Sequence, residues 1–227
     1  MKQPLGNSMY WRIFAISLLA ALTCSCATLL SNRSEYAPPS GRGPIVILLS
    51  GYGGPETTIH YATEISRLGY YAVLFDGKYF YQYGGALKST IAEIQKSSKA
   101  LPGKVAVIGF SMGGGAALSK ATFMPDLVSA VIAYYPKTNE LGDMRNLAAK
   151  FQVPTLVLAG ERDTYNNCCL IKTMRDMEQG ARENGKSFEL VVYDISYHGW
   201  VRSADTPFYK DAWQRTVKML NQYHPLP

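Results

Sequence analysis

Histidine is scarce in this chain of 227 residues, which has only three: His60, His198 and His224. Cysteine is nearly as rare, with Cys24 and Cys26 near the N-terminus and Cys168 beside Cys169. These groups are scattered over unlike segments without ligand spacing, so neither a metal site nor a cofactor is expected. The adjacent cysteines are expected to stay as free thiols, because neighbouring Cα atoms lie ~3.8 Å apart, below the usual disulfide span. Basic runs are missing as well. Lys96, Lys99, Lys104, Lys120 and Lys137 stand apart, without an aromatic-interleaved stripe, and give no support for a nucleic-acid partner. No internal repeat is present, which leaves an ordinary folded domain, 47% hydrophobic and 18% charged, as the default.

Acidic residues are absent before Glu35. Lys2 and Arg12 precede an apolar core from Ile13 to Leu22, followed by the small residues Thr23, Cys24, Ser25, Cys26 and Ala27, the order of an export signal. Residues 1–27 are therefore read as a signal peptide or lipoprotein signal. Cleavage after Ala27 competes with lipid attachment at Cys24 or Cys26, which would place the protein in the periplasm or on a membrane as a lipoprotein. The uncharged run from Ile13 to Leu30 is 18 residues, at the lower limit for a retained span. With Lys2 and Arg12 set aside, the formal charge falls from +6 to +4, since 21 basic residues then face 17 acidic ones.

The Pro- and Gly-rich stretch Pro38 to Pro44 reads as the end of a linker over residues 28–44, with the folded domain at 45–227. Apolar strand-like runs, 45–49, 71–75, 105–108, 130–134, 155–159 and 188–193, alternate with helical patterns at 56–68, 86–100, 112–123, 170–184 and 205–223. Strands apolar on both faces and separated by helices predict an α/β fold with a mostly parallel sheet covered on both sides. Right-handed crossovers then gather the loops that follow the strands at one rim.

One of those loops holds Gly109-Phe110-Ser111-Met112-Gly113, a G-x-S-x-G turn between a strand and a helix. Such a turn places a serine on a tight, strained backbone with its hydroxyl projecting, and makes Ser111 the candidate nucleophile. Asp163 follows the strand 155–159, and His198 follows the strand 188–193. The chain order Ser111, Asp163, His198 is that of an α/β-hydrolase triad, with His198 as base and Asp163 as its orienting acid. Asp76, Asp143 and Asp194 are the competing acids, and His60 and His224 the competing histidines. Oxyanion donors are expected from the N–H of Met112 and from Tyr52 in the loop Ser50-Gly51-Tyr52-Gly53-Gly54. Tyr79, Tyr81 and Trp200 are candidate walls of a substrate pocket. Residues 136–154 are too few for a large cap domain.

The loop 50–54, the strand Gly69 to Asp76, the elbow 109–114, Ala159 to Asp163, and the strand 188–193 with Tyr197-His198-Gly199-Trp200 together resemble the dienelactone hydrolase family of α/β-hydrolases. The likeness extends over most of residues 45–223. It implies hydrolysis of carboxylic esters or thioesters, with a small-molecule ester as partner. Two positions depart from the family pattern. The founding members use cysteine where this chain has Ser111, so lactone specificity is not implied, and Ser50 stands where many relatives have histidine. The elbow also resembles that of bacterial cutinase-like polyester hydrolases. A non-catalytic envelope binding protein, a peptidase and an acyltransferase on the same fold remain alternatives.

Overall fold

The computed structural model describes residues 33–83, 86–202 and 207–227. The expected signal, with Cys24 and Cys26, lies outside the described residues. No helix among the described residues is long and apolar enough to cross a membrane. Residues 34–227 form one compact unit.

Seven strands make one sheet: β1 Ser34–Tyr36, β2 Ile45–Leu49, β3 Tyr71–Phe75, β4 Val105–Phe110, β5 Val128–Tyr134, β6 Thr155–Gly160 and β7 Phe188–Tyr193, in the order β1-β3-β2-β4-β5-β6-β7. All neighbours pair in parallel except β1, which runs antiparallel along β3 and faces Leu74, Val73 and Ala72. The linker assigned to 28–44 thus contains a strand. Three residues with one acid and no apolar run carry too little pattern to announce an edge strand. The helices are α1 Ile59–Arg67, α2 Gly77–Gln82, α3 Ala86–Ile94, α4 Met112–Lys120, α5 Met144–Ala148, α6 Ile171–Glu183 and α7 Pro207–Tyr223. Segment 136–154 contributes only the short α5, and no cap domain is present among the described residues.

Side chains alternate between the faces of the sheet, so each strand feeds two cores. Val46, Leu48, Ala106, Ile108, Ile132 and Leu156 pack with Tyr61 and Ile65 of α1 and with Ala212 and Leu220 of α7. On the opposite face, Ala133, Val157 and Ala159 meet Leu118, Ala148, Phe151, Met174 and Met177. The strand order reverses about β2: one crossover leads outward to β3, and the next returns to β4 on the other side. A crevice opens at the strand ends where the direction switches, and the loops after β2 and β4 flank it.

Candidate active site

Ser111 closes β4 and caps α4 with φ 51° and ψ −110°, a backbone conformation that side-chain-bearing residues seldom adopt. Such a conformation costs about 1–3 kcal/mol and persists only where the surroundings dictate it. Here its N–H donates to the Tyr134 carbonyl at 2.9 Å, while its own carbonyl accepts from Gly115 N–H at 3.0 Å and Lys137 N–H at 2.7 Å. The flanking glycines are required by space. A Cβ on Gly109 would sit 2.3 Å from the Gly113 carbonyl oxygen, and one on Gly113 would sit 2.1 Å from that of Leu49. The motif thus lets the first turn of α4 press against the ends of β2 and β4 and holds the Ser111 side chain at the rim.

Three loops converge there. Ser111 Oγ lies 2.9 Å from His198 Nε2, and His198 Nδ1 lies 2.8 Å from Asp163 Oδ2. The Asp163 side chain is wholly buried, and its other oxygen accepts the Tyr165 N–H at 3.2 Å. A buried carboxylate can only accept, so the His198 proton belongs on Nδ1 and the Nε2 lone pair faces Ser111. Two tyrosines fix the imidazole plane: Tyr165 stacks on it at 4.6 Å and 8°, and Tyr135 meets it edge-on at 4.9 Å. The competing groups are engaged elsewhere. Asp76 caps α2 through Lys78 N–H, Asp143 caps α5 through Asn146 N–H, and Asp194 is exposed. His60 lies on α1, where burial lowers its pKa; His224 is buried beside Ser129 and Tyr70.

Beside Ser111 opens a cavity of about 500 Å³, lined in part by Tyr52, Met112, Lys137, Glu140, Tyr165 and Cys168. Met112 N–H is the first of α4, a position without an intrahelical acceptor. Gly51 packs against Ser111 so closely that a Cβ on it would come within 3.2 Å of the serine Cβ, which brings the Tyr52 loop alongside. Ser50, the departure from the family pattern, is fully buried, and its hydroxyl accepts Gly77 N–H at 3.3 Å, tying this loop to α2. Lys137 pairs with Glu140, whose carboxyl its hydrogen bond holds below the usual range, and it also contacts the face and hydroxyl of Tyr81.

A family model described as the dienelactone hydrolase family matches residues 78–224, well over half of the chain. The chain belongs to the dienelactone hydrolase family. Among relatives of this family member, Protein usf of Aquifex pyrophilus is 24% identical over 224 residues, spanning 84% of this chain and 93% of that one. A dienelactone hydrolase-like protein from Klebsiella pneumoniae superposes with a TM-score of 0.68 at 20% identity, covering 84% of this chain and 98% of its own. Esterase 2 of Thermogutta terrifontis, in a form phosphonylated by cyclosarin, gives a TM-score of 0.68 at 16% identity, with 86% and 89% covered. These likenesses place the fold among the α/β-hydrolases.

Four expectations are corrected by this geometry. Trp200 is buried behind the histidine loop against Tyr193, Tyr134, Tyr135 and Phe208 and does not line the cavity. Tyr79 packs on Phe80 and Tyr83 within α2, and Tyr81 sits behind Lys137 and Glu140, hydrogen-bonded to both, so neither is among the residues that line the cavity. The adjacent cysteines are not free thiols: Cys168 and Cys169 form a disulfide with a Cα–Cα distance of 3.8 Å, short of the usual span but sufficient for bonded neighbours. Nor is the Cys-Cys pair remote from histidine. Both sulfurs and a ring nitrogen of His198 lie within 4.8 Å of one another, because β6 and β7 are adjacent and parallel and discharge their loops at the same place. Lys137, Glu140 and Tyr165 were not anticipated, although Lys137 and Tyr165 could have been found by inspecting the residues after β5 and β6 as strand-end positions.

Proposed function

We propose that this member of a hydrolase family cleaves carboxylic esters or thioesters through an acyl-enzyme on Ser111. The observation that carries the reading is the unbroken path from Ser111 Oγ through His198 to buried Asp163. His198 Nε2 takes the hydroxyl proton as Oγ attacks the carbonyl carbon, and Asp163 accepts from Nδ1 and stabilises the imidazolium. The carbonyl oxygen becomes an oxyanion, for which Met112 and Tyr52 N–H groups are the donors on this side of the cavity. His198 then protonates the leaving alcohol or thiol. Water enters, loses a proton to the same nitrogen, and releases the acid.

The test is turnover of a short activated ester by wild type and by Ser111→Ala. Replacement of the nucleophile is expected to lower kcat by about 10⁶-fold without unfolding the protein. Wild-type activity in that variant would overturn the assignment. A wild-type protein that is inert toward esters and toward a fluorophosphonate probe would instead favour a binding protein on a hydrolase fold. Product formed with an added alcohol acceptor would redirect the reading to acyl transfer.

A further inference from the structure

The loop after β6 carries a group that hydrolysis does not use. Cys168 and Cys169 are both buried, and Cys168 borders the cavity beside Ser111. The backbone there is fastened independently of the sulfurs. The Cys168 carbonyl accepts from Thr138 N–H at 2.7 Å, Asn139 N–H at 3.2 Å and Thr138 Oγ1 at 3.2 Å. Thr138 Oγ1 in turn lies 2.7 Å from Thr173 Oγ1 on α6. Opening the disulfide therefore yields two thiols in a loop still pinned on both sides.

We propose that the reduced Cys168 and Cys169 thiolates, together with His198 Nε2, bind a soft divalent cation such as Zn²⁺, and that filling this site switches the hydrolase off. The inhibitory half rests on the reading of His198 as general base. Reduction by a small dithiol balances simply. One reductant thiolate attacks a cysteine sulfur, the S–S electron pair leaves on the other cysteine, which takes up a proton, and the second reductant thiol displaces the first cysteine as the reductant closes its own disulfide. Two electrons and two protons pass to the pair. The cation then binds both sulfurs and the imidazole, releasing the two thiol protons.

The geometry suits the ligand set. Bonds of ~2.3 Å to sulfur and ~2.0 Å to nitrogen place tetrahedral ligand atoms about 3.5–4 Å apart. Both sulfurs and a ring nitrogen of His198 already lie within 4.8 Å of one another, so the sulfurs need only separate from bonding distance by side-chain rotation. Nδ1 is engaged by Asp163, the outer-shell partner that orients a metal-binding imidazole, which leaves Nε2 as the ligand atom. Thiolate and imidazole select Zn²⁺ or Cd²⁺ over Mg²⁺ or Ca²⁺. One lone pair cannot serve both a cation and the Ser111 proton.

The full chain is reduced with a small dithiol, freed of it by gel filtration under argon, and titrated with Zn²⁺ while ester turnover is followed. Reduced wild type is expected to lose about 10²-fold or more of its activity once Zn²⁺ is in slight excess over both cysteine pairs of the chain, the contribution of a general base, and to recover it with EDTA. The oxidised protein and Cys169→Ser are each expected to show the same activity with and without Zn²⁺. Equal insensitivity of reduced and oxidised wild type would overturn the proposal, as would equal inhibition of Cys169→Ser. A second readout is independent of activity: because Cys24 and Cys26 also offer thiolates, reduced Ser111→Ala should show a thiolate-to-Cd²⁺ charge-transfer band larger, by one Cd²⁺ per chain, than that of reduced Ser111→Ala carrying Cys168→Ser and Cys169→Ser. Absence of that difference refutes the site even if the hydrolase reading stands, and its presence supports the site even if that reading fails.

Discussion

Replacing Asp163 with asparagine isolates the orienting role of the acid, because the structure dictates how the amide must sit. One carboxylate oxygen accepts the Tyr165 N–H and the other faces His198 Nδ1 at 2.8 Å. An asparagine keeps the first contact only by placing its carbonyl oxygen toward Tyr165, which turns its NH₂ toward the imidazole. His198 must then present a lone pair at Nδ1 and carry its proton on Nε2, where it can no longer accept from Ser111. The expected loss in kcat is about 10³–10⁴-fold, or about 4–5.5 kcal/mol of transition-state stabilisation. Labelling by a fluorophosphonate should slow by a similar factor, since the same proton transfer activates the serine. The side chain is isosteric, so the unfolding midpoint should move little. Steady-state kinetics with an activated ester and a denaturant titration measure both. Turnover within tenfold of wild type in a folded variant would mean that Asp163 does not set the His198 tautomer.

Gly113→Ala drives a Cβ to 2.1 Å from the Leu49 carbonyl oxygen; a loss of about 1–3 kcal/mol in chemical denaturation and a matching loss of activity are expected, and a variant as stable as wild type would mean α4 is not seated as described. Trp200→Ala is expected to destabilise by about 3–5 kcal/mol while leaving KM for a small ester unchanged, whereas a raised KM at unchanged stability would return Trp200 to the pocket wall. Burial lowers the His224 pKa to about 4. Folding therefore favours the neutral ring: its contribution is fully present above the unfolded value of about 6.5 and is lost as pH falls from there through 4, by about 3 kcal/mol in all. Denaturation midpoints measured across that window should fall with acid, and His224→Gln should flatten the slope; an unchanged slope would assign the acid sensitivity to other groups.

The α/β architecture was legible because a strand covered on both faces must be apolar throughout, and β2, β3, β4 and β6 are buried at every position. The Ser111, Asp163 and His198 positions were legible for a related reason, since parallel strands bring the residues after them to a common rim. What escaped was set by contacts between loops. Helix α2 begins where Asp76 caps Lys78 N–H, and its aromatic run suggested a pocket wall while Phe80 in fact turns inward onto Phe75. Tyr165 touches His198 through a short turn with Asn166 at φ 46°, a conformation no spacing rule announces. The Cys168–Cys169 bond defies the usual distance argument, which is framed for cysteines remote in sequence.

Whether Ser111 is the nucleophile is read from mass spectrometry of the intact protein and its peptides after exposure to a fluorophosphonate. One adduct per chain is expected, carried by the peptide that contains Ser111 and absent from Ser111→Ala. An adduct on another residue, or none on a folded wild-type protein, would contradict that role.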